Sequence, residues 1–377
     1  MILIAQFRLW LGVLKRTPLY ELEKDLGAKF TEFAGWELPL YYSSITEEHL
    51  AVRKTAGIFD ISHLGKISIK GKEAYDFLQY IITADISKTL VGSGTYTLIC
   101  NEQGGIIDDE IIYHTEKDSY LVIPNASQVT RVLDWFRKHA ASQLYIKDLT
   151  SELCLIALQG PNSGSILEQA FDERPEIYKR YSIRTTEIEG DVLTIARSGY
   201  TGECGFEIFC RRETASIVWE RILSIGAKPA GLGARDTLRL EMGYPLYSKD
   251  LSYDTSPIEA GLERFVSFEK GNFIGKAALY KQSLEGPKRK LVGLVIDKGI
   301  ARQGKVMAID REDEIGVVTS GSYSPILRKG IGMAYVKAMN ARVGEAIRIK
   351  DGKKMYTGRI ARRPFIKVSS SCLRGGC

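Results

Sequence analysis

Hydrophobic and polar positions along this chain change period several times, and each change predicts an element. From 43 to 55 the run ITEEHLAVRKTA repeats its apolar positions at helical spacing, and FDISH breaks that pattern between Asp60 and His63. LGKISIKGKEA reads as a strand whose turn opens the helix AYDFLQYI. From Thr95 to Asn125, TYTLICNEQGGIIDDEIIYHTEKDSYLVIPN reads as three successive strands, with NEQGG and TEKDS as the turns of an antiparallel meander. SQVTRVLDWFRKHA then carries Val129, Val132, Trp135 and Phe136 on one helical stripe.

A similar alternation of strand and helix recurs from LCLIALQGP through the helix of GLGARDTLRLEMGYPLY, so two related α+β halves packed face to face are the economical architecture. Gly, Pro and charge coincide between Lys281 and Lys290, which predicts a linker there. Beyond it, LVGLVI, EIGVVTSGSYSP, GIGMAYV, EAIRIK and KMYTGRI are short β-rich runs. SGSYSP and KDGKK serve as their turns, and a small antiparallel barrel ending near Val368 follows.

Composition narrows the function classes. A chain of 377 residues holds roughly two or three domains. With 44% hydrophobic and 26% charged residues it has the balance of a globular protein with a large core. The net charge of +6 is mild, and its Lys and Arg residues are dispersed without aromatic interleaving, so nucleic acid is not indicated. An anionic small molecule or an acidic protein partner suits the surplus, and so does a solvated surface. Cys100, Cys154, Cys204, Cys210, Cys372 and Cys377 never fall as CxxC, and His49, His63, His114 and His139 form neither HxH nor HExxH. The reading is a reducing, cytoplasmic compartment and no metal site. Met1 to Leu14 is apolar but broken by Gln6 and Arg8, too short to span a bilayer and a poor signal peptide, which leaves a short targeting segment at residues 1–16 open. The tail SSSCLRGGC reads as disordered.

Two stretches carry candidate chemistry. In SGYTGECGFEIFC, Phe206 and Ile208 alternate with Glu207 and Phe209, so Glu207 leaves its strand on the other face from its immediate neighbours. In the helix after it, Leu238 and Met242 stack one turn apart while Arg235 and Arg239 share another face, where they repel unless an anion or a carboxylate lies between them. A structural ion pair between the strand Glu and the helix Arg explains the spacing as well as a binding site does. In NEQGGIIDDEIIY, Gly104 and Gly105 permit a tight turn or a close backbone approach. Asp108 and Asp109 then point to opposite faces of a strand, which lets one be solvated while the other faces a cleft. An isolated DD pair is also the ordinary cap of a hairpin turn. Nothing forms a phosphate loop, a dinucleotide fingerprint or a nucleophile elbow.

Taken in order, TPLYELEKDLGAKFTEFAGWELPLYYSSITEEHLAVRKTAGIFDISHLGK, NEQGGIIDDEII, ALQGPNS, GYTGECGFEI, AGLGARDTLRLEMGYPLY and TSGSYSP resemble the T-protein family of the glycine cleavage system, the tetrahydrofolate-dependent aminomethyltransferases. The resemblance runs from Thr17 to about Val368, and its motifs are collinear and rare in combination. It implies a three-domain cloverleaf. Two α+β domains (17–285, the second roughly 66–149 inserted in the first) wall a central folate cavity, and a β-barrel domain (286–368) closes it. By the same resemblance Asp109 is the functional carboxylate, Glu207 rather than Glu203 grips the pterin, and Arg235 contacts the folate. Tyr96, Asn125, Tyr200 and Tyr244 match other cavity positions. The implied partner is the lipoyl-bearing H-protein, and the implied co-substrate is tetrahydrofolate. One departure concerns the basic position after the final segment, because ARRPFIKV offers Arg362, Arg363 and Lys367 in no clear register.

The residue chemistry agrees with those roles. A carboxylate accepts the adjacent N–H and amino groups of a pterin together, which suits Glu207. A buried carboxylate beside a developing cation suits Asp109. Other readings of the same cavity are a folate-dependent demethylase of a small methylated substrate and a non-catalytic folate-binding accessory protein. The accessory protein's K-G-C-[YF]-x-G-Q-E motif is absent from GYTGECGFEI.

Overall fold

The computed structural model describes residues 13–309 and 313–368. Expectations for the first twelve residues and for the tail from 369 lie outside the described residues. Helix α1 (Tyr20–Asp25) precedes a hairpin of β1 (Lys29–Phe33) and β2 (Trp36–Tyr41), then α2 (Ile45–Lys54) and β3 (Gly57–Asp60). Helix α2 begins where the Ser44 hydroxyl accepts the Glu47 N–H at 3.2 Å. Its acidic residues fall in the first turn and its basic ones in the last, as the helix dipole favours.

Two passages of chain then follow one path. The first runs β4 (Ile67–Lys70), α3 (Ala74–Ile81), β5 (Ser93–Cys100), β6 (Ile106–Glu116), β7 (Ser119–Ile123), α4 (Val129–His139) and β8 (Tyr145–Asp148). The second runs β9 (Leu153–Gln159), α5 (Ser163–Phe171), β10 (Ile183–Ile188), β11 (Asp191–Ala196), β12 (Gly205–Arg211), α6 (Ala215–Ser224) and β13 (Lys228–Pro229). In each, a strand and a helix lead into a three-strand meander, and a helix and a strand leave it. The sheet orders are β5-β6-β7-β4-β8 and β10-β11-β12-β9-β3-β13. The opening strand of each passage therefore returns beside the last strand of its own meander, and in the second sheet β3 is inserted next to it.

Helices α7 (Leu232–Glu241), α8 (Pro257–Ala260) and α9 (Lys276–Glu285) lead to the C-terminal strands β14 (Arg289–Ile296), β15 (Gly304–Ala308), β16 (Glu314–Ser324), β17 (Lys329–Lys337), β18 (Ala346–Asp351) and β19 (Lys354–Ala361). These close into a barrel in the order β14-β17-β16-β15-β18-β19. Two local expectations need correction. The first half of the expected linker between Lys281 and Lys290 is helix, because α9 runs to Glu285 and ends only at Gly286, whose φ of 79° no longer continues it. SGSYS is not a turn but the end of β16, where a Cβ on Gly321 would meet the Ala301 carbonyl oxygen at 1.8 Å. Glycine there marks a close backbone approach. Strand β15 had no reading at all in the sequence.

Packing explains where space remains. Trp219 and Ile222 of α6 cover Ile156 and Ile208 on one sheet. Phe77, Leu78 and Phe136 cover Ile67, Ile69 and Val122 on the other. The uncovered faces meet through Phe59, Leu155 and Phe209 from one sheet and Tyr113, Leu121 and Ile123 from its partner. Along β12 the face that presents Phe209 to this contact presents Glu207 two residues earlier, and along β6 the face of Ile111 and Tyr113 presents Asp109. The interface thus changes from apolar to acidic, and a cavity opens there. The barrel shuts one side. Leu240 of α7 packs on Leu291, Ile331 and Met333. Glu241 receives Arg53 at 2.9 Å, the Ser324 hydroxyl at 2.5 Å and, through its carbonyl, the Phe365 N–H at 2.8 Å.

Candidate active site

The cavity between the two sheets and the barrel has a volume of about 950 Å3, and Tyr96, Asp109, Asn125, Tyr200, Glu207, Arg235 and Tyr244 all line it. They come from β5, β6, the residues after β7, the loop before β12, β12 itself, α7 and the turn after α7.

Asp109 is clamped from both sides. The Tyr96 hydroxyl donates to its Oδ2 at 2.9 Å, and the Asn125 side-chain amide donates to its Oδ1 at 3.0 Å. Burial pushes its pKa up to about 6, and these two donors hold it down from going further. Asp108 does not reach solvent, contrary to one expectation. It is fully buried and accepts the Asn125 backbone N–H at 2.9 Å and side-chain amide at 2.7 Å. Its pKa is pushed well up by burial and by the neighbouring Asp109 charge. The turn ahead of this pair needs both glycines: Gly104 has φ +83°, and a Cβ on Gly105 would lie 1.8 Å from the Tyr253 carbonyl oxygen.

At the other end, the Ser198 hydroxyl donates to Glu207 Oε2. Burial raises the Glu207 pKa, opposed by that hydroxyl and by the positive charge of Arg235. Arg235 lies over the Tyr200 ring at 4.8 Å, and its buried Nη1 has no hydrogen-bond partner among the described residues. The expected conflict between Arg235 and Arg239 is resolved within the protein. Arg239 turns inward to Asp250 at 2.8 Å and Asp236 at 2.7 Å, which leaves Arg235 as the arginine open to a ligand. Tyr200 donates to the Pro245 carbonyl and stacks on Tyr244 at 5.8 Å.

The glycines of SGYTGECG are explained by a side chain from another motif. A Cβ on Gly199 would meet Gln159 Oε1 at 2.0 Å, and one on Gly205 would meet Gln159 Nε2 at 2.2 Å. The Gln159 amide lies between them, donating to the Ser198 carbonyl at 3.0 Å and accepting from the Thr201 hydroxyl at 2.9 Å. ALQGP and SGYTGECG are therefore one unit that holds Tyr200 and Ser198 over the cavity.

Other lining residues had no signal in the sequence. Arg180, Lys249, Arg264 and Arg302, all exposed, come from four separate segments, Arg264 from a short 3-10 helix (Glu263–Phe265) and the others from turns and bends. Tyr181 adopts φ 61°, and Phe265 meets the Tyr96 ring edge-on at 4.6 Å. Among the described residues no three His, Cys, Asp or Glu side chains gather as a metal-binding group, and no helix is long and apolar enough to cross a membrane.

The GCVT N-terminal domain family matches residues 19–270, and the glycine cleavage T-protein C-terminal barrel domain matches 289–367. The chain belongs to the glycine cleavage T-protein family. Among its T-protein relatives, an aminomethyltransferase of Bacillus pumilus is 44% identical over 363 residues, which cover 94% of this chain and 99% of that protein. One from Halothermothrix orenii is 44% identical over 358 residues, covering 94% and 100%. The crystal structure of glycine cleavage system aminomethyltransferase T from Bartonella henselae superposes with a TM-score of 0.88 at 33% identity, over 94% of this chain and 98% of that one. The two-sheet-and-barrel architecture is thus shared over 94% of this chain.

Proposed function

We propose that this T-protein is the aminomethyltransferase of a glycine cleavage system. It transfers the one-carbon unit from the aminomethyl-lipoyl arm of H-protein to tetrahydrofolate, releasing ammonia and the dithiol arm and forming 5,10-methylenetetrahydrofolate. The observation that carries the reading is the pair of open groups in one cavity. Glu207 is fixed through one oxygen by Ser198, and Arg235 keeps a buried nitrogen without a partner among the described residues.

The donor and acceptor set fits a folate. Glu207 accepts the adjacent N–H and amino groups of the pterin. The flat face of Tyr200, already beneath Arg235, and the stacked Tyr244 offer aromatic surface to a flat ring. Arg180, Lys249, Arg264 and Arg302 suit the anionic glutamate end. Asp109 is the carboxylate placed for charge that develops on the one-carbon unit as its C–S bond breaks. Tyr96 and Asn125 keep it ionised at neutral pH and fixed in place, so its stabilisation of that charge needs little reorganisation. The buried free thiols Cys100, Cys154 and Cys210 accord with a reducing, cytoplasmic setting.

Calorimetric titration with tetrahydrofolate tests the site, with saturable binding expected. Product analysis tests the reaction: ammonia and methylenetetrahydrofolate appear only when aminomethylated H-protein is supplied. Absence of folate binding sinks the reading. Product formation from a small methylated amine without H-protein transfers it to a demethylase.

A further inference from the structure

Asp108 does not line the cavity, yet it controls a residue that does. Its side chain leaves β6 on the face opposite Asp109 and is completely buried. Both its oxygens are used by one residue, Asn125: Oδ2 accepts the backbone N–H at 2.9 Å, and Oδ1 accepts the side-chain Nδ2 at 2.7 Å. Strand β7 ends at Ile123, opposite Ile111, so continuing that antiparallel register sets Asn125 beside Asp109. The same Nδ2 reaches Asp109 Oδ1 and the Asp109 carbonyl oxygen, each at 3.0 Å.

Four contacts from one asparagine therefore converge on two consecutive aspartates. All three acceptors around Nδ2 are oxygens, which decides the orientation of the amide, since its carbonyl end would face them with repulsion. The planar amide then carries Oδ1 away from the aspartates. Asn125 lines the cavity, and its Oδ1 receives no hydrogen bond from any described residue. A carbonyl acceptor thus stands open beside the Asp109 carboxylate, and the buried Asp108 carboxylate sets its direction.

On the reading that this cavity carries out aminomethyl transfer, we propose that Asp108 is a positioning residue. Acting only through Asn125, it keeps the amide N–H on Asp109 and the amide oxygen turned to the cavity, where it accepts an N–H of the substrate's aminomethyl group. Asp108 touches neither the folate nor the reacting carbon. It needs two acceptor oxygens, because it meets two N–H donors fixed on one residue. Asp108→Asn presents an NH2 group to one of those donors, and the Asn125 side chain must turn away to relieve it.

The test is a double-mutant cycle on the full-length protein with aminomethylated H-protein and saturating tetrahydrofolate. Wild type, Asp108→Asn, Asn125→Ala and the double variant are compared for kcat, for tetrahydrofolate Kd by calorimetry and for thermal stability. Asp108→Asn is expected to lower kcat about tenfold to a hundredfold, the scale of misaligning a reacting group by about 1 Å, with folate Kd changed less than about threefold. The double variant is expected to be no slower than Asn125→Ala alone. Independent, additive losses overturn the proposal, as does a lower melting temperature with wild-type kcat per folded molecule. If Asp108→Asn does not fold, Asn125→Ala alone decides: loss of kcat with near-normal folate Kd supports the proposal, and normal kcat overturns it. Failure of the wild type to bind folate or to turn over removes the underlying function instead, which is a separate result.

Discussion

The Tyr96 hydroxyl donates to Asp109 Oδ2 at 2.9 Å across the ladder of β5 and β6, from a position diagonal to the Leu98–Asp109 pair. A strand neighbour thereby helps hold down the pKa of the carboxylate to which the proposed function gives the chemistry. In Tyr96→Phe the bond is lost while the ring remains against Phe265. Asp109, at about 6 in the wild type, then moves up by about one unit, since a hydrogen bond to a charged group contributes roughly 1.5 kcal/mol. On the proposed function Asp109 works ionised, so activity is expected to rise with pH through this value. The acid limb of the kcat/KM profile should shift to higher pH, and an unmoved limb refutes the assignment.

Asp109→Asn removes the charge and nearly keeps the shape. Turnover should fall by about a hundredfold or more, with a smaller change in folate affinity. Stability should not fall. Because folding raises the Asp109 pKa from 3.8 to about 6, the stability it contributes is present at low pH and is lost as pH rises through that value. At pH 7.5 the variant should melt at or above the wild-type temperature. A hairpin-capping aspartate predicts the reverse pair of results.

Glu207→Gln places an NH2 group against the donors of the pterin. Folate binding should weaken by about 2 to 3 kcal/mol, measured by calorimetry. Wild-type affinity in this variant removes Glu207 from the binding site.

Glu110, third in the acidic run, is buried with both carboxylate oxygens unpartnered among the described residues. Burial, then Asp108 and Asp109, push its pKa well above the usual range. Its contribution to stability is therefore present below about pH 4.5 and lost as pH rises through the folded value. Glu110→Leu should raise the melting temperature at pH 8 by a few degrees and raise it less at pH 5. Equal melting curves across that range contradict this account.

Arg180→Gln combined with Arg264→Gln tests the exposed cations around the cavity. Both act on the Tyr244 phenol, so they approach the same part of the site. Tetrahydrofolate affinity should drop about threefold to tenfold at low salt, and the difference should shrink as ionic strength screens exposed charges.

Sequence reading reached the parts of this molecule whose cause is local. Strand alternation placed Glu207 beside Phe209 on one face, and the family resemblance selected seven positions that the fold gathers around one cavity. What it missed arises from meetings between distant segments. Arg180, Lys249 and Arg302 occupy turns and bends, and Arg264 a 3-10 helix of three residues, too short for any period to mark them. Asp108 was expected to have a solvated option because a single strand does not reveal that Asn125, seventeen residues later, covers it. The Gly and Ser residues of SGSYS carry turn composition, yet they serve a strand pressed against Ala301. Composition cannot tell a bend from a close approach.

The clasp of Gln159 between Gly199 and Gly205 ties two distant motifs into a single structural part. A loop of residues 198–205 grafted from a relative keeps its shape only if the recipient also supplies the matching side chain from β9. Exchange of one without the other removes either the bracket or the bar that fits it.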